Sequence, residues 1–103
     1  MLPLLTLMLA CAPQETLSPA AERGREVYRA NCTACHHADP SKTGPVGPAV
    51  KGSSRALIET RVVRGAYPDG YTPKRDTHLM KALPHLEPHI DDLAAYLRSS
   101  TIP

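Results

Sequence analysis

Cys32-Thr33-Ala34-Cys35-His36 follows a stretch of helical pattern that begins at Ser18-Pro19, and the rest of the chain is best read outward from it. Two thiols stand three residues apart, within one helical turn, and an imidazole follows the second directly. This is the C-x-x-C-H spacing at which a polypeptide is attached covalently to c-type haem: each thiol reaches one vinyl group, and the imidazole sits under the iron. Two other chemistries use such cysteines. A thioredoxin-like redox pair wants a strand-helix-strand setting, and no stretch here alternates strand and helix patterns. A structural zinc site wants four ligands in a closed tetrahedron, whereas the remaining cysteine, Cys11, lies in an apolar leader and His37 could join the set only with awkward geometry. The expectation is therefore one covalent haem on Cys32 and Cys35, its iron bound by His36.

Residues 1–10 carry no charge and almost nothing polar, yet they fall well short of the roughly 20 apolar residues a spanning helix needs. They read as the hydrophobic part of a secretory signal. Ala10-Cys11 resembles the lipobox of bacterial lipoproteins, and that resemblance implies lipid attachment at Cys11 and a membrane-anchored mature chain. An ordinary signal cleaved nearby, or a short buried helix, are the alternative readings. Residues 12–18 are polar and Pro-bearing, which suits a tether. The expected organisation is thus 1–10 signal, 11–18 attachment cysteine and tether, and 19–103 one folded domain. A domain of that size is marginal on an apolar core alone. Phe and Trp are absent and only four Tyr are present, so a large flat apolar group at the centre would replace missing aromatic volume.

The domain reads as all-α, three to four helices around the haem. Ser18-Pro19 supplies a cap and a first-turn proline, and Ala20, Gly24, Val27, Tyr28 and Asn31 recur at helical spacing. A second helix is expected from about Ser54 to Arg64, with Leu57, Ile58, Arg61 and Val62 on one face and Gly65 as the stop. A third is expected from about Pro88 to Arg98, its apolar face Ile90, Leu93, Ala94 and Leu97, with Asp91 and Asp92 near its positive end. The Pro/Gly-rich stretch from Pro40 to Gly52 and the turn from Tyr67 to Tyr71 read as loops.

Over roughly residues 20–99 the chain resembles the class I c-type cytochromes. The family packs its first helix across its last through a Gly and an aromatic, and Gly24-x-x-x-Tyr28 stands at the matching distance before Cys32, with Leu93-x-x-Tyr96 as partner. Close approach explains a mid-helix Gly that would otherwise weaken the helix by about 1 kcal/mol. The family also carries a Gly-Pro whose proline carbonyl accepts the proton of the axial imidazole, and Gly47-Pro48 lies in that place, Pro48 being twelve residues beyond His36. Gly44-Pro45 competes for the role. For the sixth iron ligand the candidates are Met80, His78, His85 and His89; the segment from Leu79 to Leu86 resembles the family's methionine loop and favours Met80, although Lys81 stands where Pro commonly follows. His85 is the main rival. His37, His78 and His89 read as exposed polar residues. Tyr67, Tyr71, Lys74 and Arg75 lie where donors to the haem propionates commonly occur.

The resemblance implies a monohaem carrier of single electrons between extracytoplasmic or membrane-bound redox partners, periplasmic or anchored at the outer face of a bacterial membrane, and not an enzyme. The alternative is a haem sensor or small-ligand-binding protein with a displaceable sixth ligand. Peroxidase-like chemistry would need a distal His-Arg pairing that the sequence does not offer. The net charge is only +2, but residues 51–81 hold seven basic against three acidic residues, which suits steering toward an acidic redox partner. Nucleic-acid binding is excluded for want of a motif or aromatic interleaving. A monomer is expected.

Overall fold

Ser18 starts the first helix as its sequence demands. The serine hydroxyl accepts the Ala21 amide at 3.1 Å, Pro19 opens the first turn, and α1 runs Pro19–Asn31. The same device recurs at Ser54, whose hydroxyl accepts the Leu57 amide at 3.1 Å and starts α2, Arg55–Arg64. Gly65 ends α2 in the left-handed region at φ 66°. A 3-10 helix, Pro84–His89, then leads into α3, Ile90–Leu97. The computed structural model describes Pro3 and residues 16–99, so the rest of the leader, Cys11 and residues 100–103 lie outside the described residues. Among the described residues there are no strands, and the fold is the expected small all-helical one.

α1 and α3 form the frame. A side chain at position 24 would collide with the backbone carbonyl of Asp92 and come within 2.9 Å of the Tyr96 β-carbon, so Gly24 is what lets the two backbones touch. One turn further on, the Tyr28 and Tyr96 rings meet at 5.6 Å between centroids, tilted by 52°, and both are buried. The fully buried alanine of α1 is Ala21, where the helical spacing points to Ala20; the face runs Ala21, Gly24, Tyr28. Asn31 stays exposed, its amide donating back to the Val27 carbonyl at 2.8 Å. Arg23 grips Asp92 across the crossing through two contacts of 3.1 Å.

The third helix also differs from its reading. Its apolar face is buried as expected, but the α-helix starts at Ile90, and Pro88 lies inside the preceding 3-10 helix. Two prolines in one short segment, Pro84 and Pro88, each lack an N–H and suit a tight turn better than a regular α ladder. That turn buries Leu86 beside Ile58 and Val62 of α2 and completes the core.

Candidate metal centre

The last turn of α1 delivers the cysteine pair. Cys32 caps the helix through its amide to the Tyr28 carbonyl at 2.8 Å, and the Cys35 and His36 amides fold back on the Cys32 carbonyl at 3.3 and 2.9 Å. Cys32 is half-buried, Cys35 is exposed, and neither is joined to another cysteine among the described residues. Burial, reinforced by the neighbouring Cys35, pushes the Cys32 thiol up to about 11.

The loop that follows clamps this turn. Val46 and Gly47 both donate backbone N–H to the Cys35 carbonyl, at 3.2 and 2.8 Å, and the Gly44 amide closes on the Gly47 carbonyl at 3.0 Å. The Pro48 carbonyl lies 2.9 Å from Nδ1 of His36. A carbonyl only accepts, so the ring proton stands on Nδ1 and Nε2 keeps its lone pair for a metal. Between the two competing Gly-Pro pairs the geometry selects Gly47-Pro48. Gly44 packs instead against the backbone of Cys35 to His37.

The turn faces a cleft that is partly open to solvent and holds, together with the solvent at its mouth, about 1050 Å³ of empty space. Cys32, Cys35, His36 and Pro48 line it from the N-terminal half. Ile58, Val62, Leu93 and Leu97 line it from α2 and α3, and Tyr67, Tyr71, Leu79 and Met80 from the long loop after α2. Met80 is partly buried and packs against the core. His85, its rival, is exposed and does not line the cleft, and the same holds for His78 and His89. Lys74 and Arg75 do line it, as do Ser53, Arg61 and Thr77, which no motif in the sequence assigns to the site. Arg61 carries one signal in the sequence: a cation on the otherwise apolar face of α2 needs a reason. Its guanidinium lies 4.1 Å from the centre of the Tyr67 ring, and Tyr67 in turn stacks on Tyr71 at 5.6 Å and 15°.

His37 is not the idle exposed residue the sequence suggests. It is half-buried, its Nδ1 accepts the Asp39 amide at 2.8 Å, and its carbonyl accepts the Tyr28 hydroxyl at 2.5 Å. The Tyr28 phenol therefore ties the core of the helix crossing to the residue next to His36. No cluster of three or more His, Cys, Asp or Glu suited to a metal occurs among the described residues, so the zinc reading has no donor set, and the absence of strands there removes the thioredoxin setting.

An apolar cleft open at one edge, two thiols at its wall and an imidazole with its outer nitrogen satisfied form a cradle that fits a haem. Fold and site together define a class, the small all-helical proteins built around a c-type haem. The Cytochrome c family model matches residues 21–101, and the chain belongs to the cytochrome c family. No curated relative and no solved structure matched the chain. The protein is a haem-binding electron-transfer protein of the class I type and carries covalent haem c with its iron. Members of this family are typically extracytoplasmic electron carriers rather than enzymes. Among the described residues no helix is long and apolar enough to cross a membrane.

Proposed function

We propose that the protein is a monohaem carrier of single electrons between extracytoplasmic or membrane-bound redox partners, in which Cys32 and Cys35 would hold the haem through thioethers and His36 and Met80 would bind its iron. The observation that carries this reading is the His36–Pro48 contact of 2.9 Å, which reserves Nε2 for iron in the cleft that Met80 also lines. The haem supplies one-electron exchange between ferric and ferrous iron. The protein residues supply the rest. Pro48 fixes the tautomer and direction of the imidazole and strengthens it as a donor. The Met80 thioether favours the ferrous state relative to a second imidazole. Ile58, Val62, Leu93 and Leu97 exclude water from the cleft, so a change of charge there disturbs little solvent.

The expected test result is a ferric holoprotein with a weak far-red sulfur-to-iron band and a ferrous form that does not readily bind carbon monoxide. Met80→Ala should lose the band and bind the gas. If His85→Ala did so and Met80→Ala did not, the axial assignment would be wrong; ready binding by the unaltered protein would favour the sensor reading.

Partner choice follows from charge. Arg55 is engaged by Asp91 at 2.5 Å and Glu59 at 2.6 Å, and at the cleft Arg61 is taken up by Tyr67 and Lys74 by the Ala49 carbonyl, so the exposed Arg75 and Lys81 remain to meet an acidic partner. Electron-transfer rates should fall as salt rises. The leader and Ala10-Cys11 support a lipid anchor, since two or more acyl chains give stable attachment where one is marginal. Cys11→Ser should release haem-loaded protein from membranes or leave the signal uncleaved. A wild-type chain beginning downstream of Cys11 without lipid would end that part of the proposal.

A further inference from the structure

The loop that carries Met80 is weakly held. Among the described residues, none of the backbone groups of residues 72–82 pairs with another backbone group. The two ends of the loop are fixed. At one end Tyr71 stacks on Tyr67 and its amide reaches the Pro68 carbonyl at 3.1 Å; at the other the Leu83 amide donates to the Val62 carbonyl at 2.6 Å. Between them, Leu79 at the cleft is 66% exposed and is not part of the buried core. A segment with so few bonds is of the kind that opens locally at low free energy.

One bond reaches out of this stretch. Lys74 Nζ donates to the Ala49 carbonyl at 2.9 Å, bridging to the loop that holds the axial imidazole. The acceptor side is itself fixed, because the next two amides, Val50 and Lys51, both donate to the Pro40 carbonyl at 2.9 and 3.0 Å, and Pro48 just before it holds His36. We propose that Lys74 is a positioning residue that latches the Met80 loop to Ala49 and so sets how readily the sixth ligand is displaced. Its consequence for the ligand rests on the Met80 assignment proposed above; the latch itself does not.

The test uses the holoprotein and three readings, two of them rates on the ferric form and the third the reduction potential. The first is the rate at which chymotrypsin cuts after Leu79, followed by mass spectrometry, which does not depend on the identity of the sixth ligand. The second is the rate of imidazole binding to the iron. Lys74→Met keeps the length of the stem and removes the donor. It should raise both rates by about three- to tenfold, the scale of one charge-assisted bond at an exposed site. Lys74→Arg should restore values within about twofold of wild type, and Lys51→Ala, which removes a nearby exposed cation, should leave them there. Cutting at the wild-type rate in Lys74→Met overturns the latch; a shifted reduction potential with unchanged cutting would assign Lys74 to a haem carboxylate instead. Imidazole binding no faster in Met80→Ala than in wild type would overturn the ligand assignment, and the cutting rates would still decide the latch.

Discussion

Gly47 touches the His36 ring so closely that a β-carbon there would fall 2.5 Å from Cε1 and 2.6 Å from Nδ1. Replacement by Ala must therefore turn the ring or push Pro48 away from it. Either movement weakens the contact that strengthens the imidazole as a donor, and a poorer donor favours ferrous iron. Gly47→Ala should raise the reduction potential, displace the paramagnetically shifted His36 resonances and cost about 1–3 kcal/mol of stability as an overpacked site does. Unchanged resonances would show that the ring has room. Tyr28 offers a pH reading. Burial holds its phenol protonated well above the ordinary tyrosine range, while in the unfolded chain it ionises near 10. Above about pH 10 the unfolded state thus binds fewer protons than the folded one, and stability falls as pH rises; below that its contribution is fully present. Denaturant titrations from pH 9 to 11 should show a shallower fall for Tyr28→Phe than for wild type. At this scale the sequence is most informative about Cys32, Cys35 and His36, because their spacing along the chain carries the motif; the choice of Pro48 over Pro45 needs the folded loop, which brings the Pro48 carbonyl to the ring. It is silent on the Tyr28 bond to His37, because that contact depends on how the chain turns after the haem motif.

The helices test a different kind of claim. Gly24 stands against the Asp92 carbonyl, so Gly24→Ala must separate α1 from α3, and the expected loss is about 1–3 kcal/mol despite the better helix propensity of Ala. Ser18→Ala and Ser54→Ala should each cost about 1 kcal/mol through lost caps. Arg23→Ala should cost less than the loss of either cap, because the guanidinium that grips Asp92 is itself 63% exposed. Thermal unfolding of the four variants gives the order directly; a Gly24→Ala protein as stable as wild type would contradict the crossing described. Caps and stops are local, which is why Ser18, Ser54 and Gly65 are legible from residue type and position alone. The 3-10 helix Pro84–His89 is not, since its two prolines argue against an α-helix without specifying what replaces it, and burial of Leu86 against α2 decides the matter.

For the molecule as a whole, Ile58, Val62, Leu93 and Leu97 are core residues and cleft walls at once. The haem is therefore part of the core that a chain without Phe or Trp lacks, and the protein deprived of it should lose helical circular dichroism and cooperative unfolding. Composition makes that need visible; the tyrosine-arginine stack and the Lys74 bridge that border the cleft are hidden from it, because both join segments whose relation only the folded chain fixes. The central claim, that the turn from Cys32 to His36 holds one covalent haem, is tested most directly by intact mass after acid-acetone extraction of protein made in a host with cytochrome c maturation machinery. The predicted result is the polypeptide mass plus one haem, lost when Cys32→Ala and Cys35→Ala are combined. A bare polypeptide mass from the unaltered chain would contradict it.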